Sequence, residues 1–309
     1  MTYRRIERIL SSRPTIEGAG VRLRRAFGGP DMAPLFDPFL LLDDFGSRFP
    51  HEYLSGFPWH PHRGIQTVTY LLKGEVHHED STGTKGVIKS GDIQWMSAGS
   101  GIFHAEMPKP LLKPDTDEIM DPEVRGYQLW INLHSSQKMS DPAYRNLTNE
   151  GTPKVELDDG TVVRVIAGEV KRIPGVGNIT GPVRDTNADV KYLDVSMPDH
   201  SDVTFTVKDG YTTFVYLLDG EARFGSEEMI NVGSRNVILY ERSGDSIRVV
   251  TGEQRARFLL ISGRPLHEPV AWYGPIVMNS NEQLVRALEE LRNGSFIKKK
   301  ATSYDYFRY

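Results

Sequence analysis

Two short motifs carry the residue types that bind metal ions: His60-Pro61-His62 and His104-Ala105-Glu106. On an extended backbone, residues i and i+2 point to the same face, so each motif presents two donor side chains together. Pro61 disfavours helix at His60 and holds it toward extended geometry. Glycines flank both motifs, Gly56 and Gly64 around the first and Gly99 and Gly101 before the second. If the two segments face each other inside a barrel, they offer three imidazole nitrogens and one carboxylate. That set suits iron, manganese, nickel, copper or zinc, and the missing sulfur donor argues against a structural zinc clamp. Four ligands on an octahedral ion leave two positions for water or substrate.

The rest of the chain has to position these motifs. Its 309 residues suit two domains of ordinary size. Hydrophobic residues make up 39% and charged residues 25%, as in globular proteins generally. A net charge of -4 shows no basic excess, so nothing in the balance points to nucleic acid or an anionic membrane surface. With no cysteine, disulfides, thiolate metal sites and cysteine nucleophiles are excluded. The opening MTYRRIERIL lacks the uninterrupted apolar core of a signal peptide, and no stretch approaches the roughly 18 apolar residues of a membrane helix. The expectation is a cytoplasmic protein.

Glycine and proline cut the chain into short β-branched and aromatic runs that read as strands. They are Thr67 to Leu72, Asp92 to Met96, Gly126 to Leu133, Thr161 to Ile166, Tyr211 to Leu218 and Arg257 to Ile261. Two segments read as helical. Asp141 to Asn146 is a short turn opened by Asp-Pro. Asn281 to Arg292 places Leu284, Val285, Ala287, Leu288 and Leu291 on one face, opens on Asn281 and stops at Asn293-Gly294. The run Val68 to Glu75 resembles Phe214 to Glu221, a shift of 146 residues from Tyr70 to Tyr216. Each copy leads through a glycine turn into a second apolar run. The expectation is an all-β protein of two tandem barrels with a short C-terminal helix, divided into residues 1–140 and 141–309, the join falling between Ser136 and Thr152.

The 146-residue shift sets Thr206 and Lys208 opposite His60 and His62, and a similar alignment sets Val249 opposite His104. None replaces an imidazole, and an ammonium group repels a cation. The second barrel is therefore expected to hold no metal. Other histidines read as bland. His77-His78 reads as a surface pair of which one at most points inward. His51-Glu52 sits in a loop that could border a pocket mouth, with Phe57 and Trp59 nearby. His134 reads as a hydrogen-bonded packing residue, and Lys298-Lys299-Lys300 as a solvated tail.

Together these motifs are recognisable. The chain resembles the pirin family of the cupin superfamily through Asp37-Pro38-Phe39-Leu40, Asp43-Asp44-Phe45, His60-Pro61-His62-Arg63-Gly64, Gly91 to Met96, Gly101 to Pro108 and Gln128 to Leu133. Gly263-Arg264-Pro265, His267-Glu268-Pro269 and Gly274 to Asn279 continue the match, which spans about Leu23 to Asn293. The resemblance implies two cupin (double-stranded β-helix) barrels. It implies one metal in the first, held by His60, His62, His104 and Glu106, and His267-Glu268 tying the domains together. The general cupin pattern takes its carboxylate a few residues after the first histidine pair. Here that position is Gln66, which leaves Glu106 to supply the charge and Gln66 to a supporting place in the pocket.

The resemblance also implies an activity. Pirin relatives include quercetin 2,3-dioxygenases, which cleave flavonols with O2 at a divalent metal, Fe(II) first among candidates that include Cu, Ni, Mn and Zn. Glu106 would serve as ligand and as a base toward the flavonol 3-hydroxyl. The alternative is a non-enzymatic, iron-dependent regulator that binds a transcription factor or a metabolic enzyme. A monomer is expected in either case.

Overall fold

The computed structural model describes residues 1–173, 177–184, 186–225, 227–299 and 302–305, with residues 172–173 and 302–305 through their backbone alone. Nearly all regular structure is β-strand, and each of the six runs expected as strands falls on a strand, with Asp92, Leu133, Thr161 and Tyr211 just beyond the strand ends. The chain forms two compact units, one of residues 1–12 and 150–266, the other of 13–149 and 267–309. This differs from the linear division at 140/141. Strand Ile6–Ser11 pairs with Asn236–Tyr240 of the later barrel. The C-terminal helix Asn281–Arg292 packs Leu284, Ala287, Leu288 and Leu291 against Phe103, Ile276, Met278 and Phe296, within the earlier one. Each end of the chain supplies a strand edge or an apolar face that the other barrel's own segment lacks, and a linear boundary cannot express that.

In the unit that holds the histidine motifs, one sheet of eight strands runs, in spatial order, Arg13–Glu17, Val21–Gly28, Phe39–Ser47, Val124–Asn132, Ile65–Lys73, Ile93–Ser97, Ala143–Leu147 and Thr302–Asp305. A second sheet of four runs Phe57–His62, Ile102–Lys109, Glu75–Asp80 and Lys85–Lys89. Leu71 and Val76 lie in one buried cluster with Val21, Leu23, Phe45 and Val124. The other unit is a ten-stranded sheet around a core that includes Val165, Leu193, Val215, Phe224, Val249 and Phe258. The repeat shows at Gly74 and Gly220, which both take positive φ, +82° and +75°, where a side chain would be strained.

Three local expectations change. Ala143–Leu147 is a strand, not a helical turn: it pairs antiparallel with Ile93–Ser97 and buries Tyr144, so tertiary hydrogen bonding overrides the local Asp-Pro signal. The C-terminal helix is capped by Ser280, whose hydroxyl accepts from the Gln283 N–H at 3.3 Å, rather than by Asn281. Val285 is exposed rather than on the packed face. The short helix Ala33–Phe36 was not foreseen. No described helix is long and apolar enough to cross a membrane.

Candidate metal centre

The site is built where Phe57–His62 and Ile102–Lys109 pair antiparallel. His60 lies directly opposite His104, and His62 opposite Ile102. Between these pairs and Glu106–Phe57 the register slips, so that two residues of one strand, Pro58 and Trp59, stand against one of the other, Ala105. Such a bulge twists a strand and re-aims its side chains. The His60 ring Nε2 stands 3.0 Å from that of His62 and 2.9 Å from that of His104. Nitrogens about 3.0 Å apart are spaced like adjacent corners of an octahedron with metal–nitrogen bonds of about 2.1 Å.

The protonation pattern fits the same role. His60 Nδ1 lies 2.9 Å from the Pro58 carbonyl. A carbonyl only accepts, so Nδ1 carries the proton, and in the neutral ring Nε2 is left as a lone pair facing the other two nitrogens. Burial holds the His62 imidazolium well below its usual pKa, and the neighbouring His60 and His104 add to the effect. His104 is likewise held well below, first by burial and then by His60 and His78. Ring nitrogens that converge, two of them on buried imidazoles kept from protonation, are what a cation requires. The three histidines form a group able to hold a metal ion, their donor atoms all within 4.8 Å of one another.

Glu106 stands at the edge of this group. Its Oε2 is 3.9 Å from His104 Nε2. Thr69 Oγ1 donates to Oε1 at 3.1 Å, and Gln128 Nε2 donates to Oε2 at 3.0 Å. The carboxylate is buried, each oxygen accepts one of these bonds, and the cavity beside it, lined by Phe57, Asp43 and Gln128 among others, holds about 20 Å³. That is room for one water. Trp59 is 51% exposed and lies on the surface beside His60, while Gln66 keeps a buried side-chain oxygen without a hydrogen-bond partner among the described residues.

The Pirin family profile matches residues 20–131, and the Pirin C-terminal cupin domain matches 192–297. The chain belongs to the pirin family. Human pirin is 39% identical over 284 residues, covering 91% of this chain and 90% of that protein. A Pseudomonas aeruginosa protein named "Putative quercetin 2,3-dioxygenase" is 38% identical over 293 residues, covering 94% and 98%. A crystal structure of quercetin 2,3-dioxygenase from Acinetobacter baumannii superposes with a TM-score of 0.83 at 30% identity, covering 95% of this chain and 98% of that one. The pirin architecture of two cupin barrels is thus the architecture of this chain.

Within that architecture, several residues take places not foreseen. His78 is buried, 3.0 Å from Gln94 Nε2, while His77 faces Glu75 at 3.0 Å, so the expected surface pair is split between inside and outside by strand alternation. His51 is exposed against Phe49, and Glu52 is tied to Ser47 and Arg22; neither has a described contact with the histidine group. His134 is half-exposed and does not pack: it caps the turn Ser135–Gln137 and meets Glu268 at 3.1 Å. Glu268 also accepts from Ser135 and Asn279, so it ties segments within one unit rather than joining two. Lys298 and Lys299 pair with Glu290 and Asp141 instead of standing free, and Lys300 lies outside the described residues.

Sequence reasoning also missed Thr69, Gln128, Trp130 and Arg63. The ring of Trp130 meets that of His62 edge-on at 5.1 Å, and its Nε1 donates to Gln128 Oε1 at 3.2 Å. A polar residue at an inward position of an otherwise apolar strand, as at Thr69 and Gln128, is the signal that could have found them.

Proposed function

We propose that the chain is a metal-dependent dioxygenase of the quercetin 2,3-dioxygenase type, with His60, His62, His104 and Glu106 as the ligands of one divalent metal, Fe(II) first among the candidates. The convergence of three imidazole nitrogens carries this reading. The names of the Pseudomonas and Acinetobacter relatives support the choice of reaction. A bound metal would supply Lewis acidity toward a flavonol 3-oxyanion and a place for O2 beside it.

The chain's own residues do the positioning. Pro58 fixes the His60 tautomer. Thr69 and Gln128 aim the carboxylate of Glu106 and hold its charge in place. Glu106 is better suited to ligand than to base, because both oxygens already accept hydrogen bonds and the adjoining space admits only a water. The flavonol would then approach from the side of half-buried His60 and exposed Trp59, whose indole offers a stacking face, and lose its proton to solvent there.

The test is metal-dependent loss of flavonol absorbance under oxygen, with iron, copper, nickel or manganese loaded in turn. Turnover that disappears in His60→Ala and His62→Ala supports the reading. Its absence with metal demonstrably bound, or its survival in those variants, overturns it. One observation favours the regulator instead: the 20 Å³ beside Glu106 is far smaller than a flavonol. Capture of different proteins by the reduced and oxidised iron forms would favour that role, and identical sets would dismiss it.

A further inference from the structure

The second barrel contains a cavity of about 530 Å³, within the range of small-molecule sites. Four cationic side chains line it, Lys171, Arg184, Lys191 and Lys208, against two carboxylates, Glu169 and Asp189. The carboxylates are already engaged. Glu169 lies 3.4 Å from Lys171, and Asp189 accepts from Lys208 and from the Tyr211 hydroxyl at 2.7 Å. Lys191 Nζ donates to the Thr206 carbonyl at 2.7 Å, and neither it nor Arg184 has an ion-pair partner among the described residues. Among the described residues this leaves two positive charges on the concave surface, Lys191 partly buried and Arg184 exposed.

The wall is braced. Arg4 is buried, and its guanidinium donates to the carbonyls of Lys208, Tyr211 and Gly244 and to Thr213 Oγ1. These bonds fix the turn that carries Lys208 and Tyr211 on the rim. Burial and the neighbouring Lys208 lower the Lys191 pKa to about 8, with Glu169 and Asp189 acting in the opposite direction. Thr206 and Lys208, which the 146-residue repeat sets against His60 and His62, both line this cavity. Where the first barrel presents lone pairs suited to a cation, the second presents charge of the opposite sign.

We propose that this cavity is a binding site for a small dianion bearing carboxylate or phosphate groups, with Lys191 and Arg184 as its direct contacts and Tyr211 at the rim. Charge-assisted hydrogen bonds from an ammonium and a guanidinium recognise such groups. The site is independent of the metal centre and of any dioxygenase activity.

Isothermal titration of the full chain with inorganic phosphate and, separately, succinate tests this at low salt. Saturable binding of either supports the site; phosphate alone identifies a phosphate ligand, succinate alone a dicarboxylate, and both a site that selects charge. Lys191→Met and Arg184→Gln should each weaken binding about tenfold to a hundredfold, the scale of one charge-assisted hydrogen bond. Lys85→Met, on an exposed strand of the other barrel, should leave it unchanged. Arg184 is exposed, so its variant keeps the test decisive should Lys191→Met fail to fold. Binding near pH 8 should also draw a proton onto Lys191, seen as a heat that depends on the buffer's ionisation enthalpy, and Lys191→Met should abolish that dependence. No saturable heat with either anion at millimolar concentration, or equal binding in both variants, overturns the proposal.

Discussion

Gln128 reaches from the eight-stranded sheet to Glu106 in the four-stranded one, its Nε2 donating to Oε2 at 3.0 Å. The orientation of its amide is set by Trp130, whose indole N–H can only donate and therefore selects the Gln128 oxygen. One side chain thus couples the ring that meets His62 to the carboxylate that stands beside His104. Gln128→Leu should leave the fold intact but lower metal affinity about tenfold to a hundredfold, the usual effect of losing a group that orients a ligand. Quenching of Trp130 fluorescence on metal addition gives the measurement; unchanged affinity would remove Gln128 from the site.

A metal held by the folded chain alone must stabilise it. At a hundredfold excess over Kd the gain is about 2.7 kcal/mol. Thermal unfolding with metal and with chelator should differ accordingly, and the difference should vanish in His104→Ala. A difference that persists there would locate the metal elsewhere.

The buried histidines also set a pH dependence. Burial depresses His62 and His104 well below the usual imidazole range in the folded state, so the unfolded chain binds their protons first. Stability contributed by the two neutral rings is full above the unfolded pKa of about 6.5 and is lost as pH falls below it, by up to about 1.4 kcal/mol per pH unit for each group. Urea unfolding of metal-free protein should show this decline between neutral pH and about pH 5. The double variant His62→Gln with His104→Gln should flatten it; an equal slope would place the titrating groups elsewhere.

Gly64 takes φ +77°, and a Cβ there would lie 1.9 Å from the Val277 carbonyl oxygen. Lys138 Nζ donates to the carbonyls of Gly64 and Val277 in the same place, at 2.9 Å each. Gly64→Ala forces these backbones apart two residues from His62. The expected cost is about 3 kcal/mol or more, since strain and a backbone clash combine. Chemical denaturation reads it directly, and a change below about 1 kcal/mol, the ordinary effect of a substitution, would contradict the close approach.

Arg63 anchors the C-terminal segment. Its guanidinium donates to the carbonyls of Ser100 and Phe296 and to Glu290, at 2.7, 2.8 and 2.7 Å, and lies over the Phe296 ring at 4.1 Å. Arg63→Met should cost about 3–5 kcal/mol, as for a broken buried ion pair. Hydrogen exchange should show residues 281–292 released before the barrel core. Arg63→Lys should recover only part of the loss, because an ammonium cannot serve three separated acceptors in the fork geometry.

Local patterns in the chain were enough for the β architecture, the two-fold repeat and the same-face placing of His60 with His62 and of His104 with Glu106. All three depend on local periodicity: alternation along a strand fixes which side chains share a face, whatever lies opposite. It did not determine which strands meet. Only the tertiary structure set His60 against His104, brought Thr69 and Gln128 to Glu106, turned His78 inward and made a strand of Ala143–Leu147, since each depends on a partner far along the chain. The exchange of chain ends between the barrels belongs to the same class. Two histidine motifs could be read as a candidate metal site from spacing alone. Their 2.9–3.0 Å convergence, and the carboxylate held at its edge by two hydrogen bonds, were decided by strand register and a bulge, which no local pattern encodes.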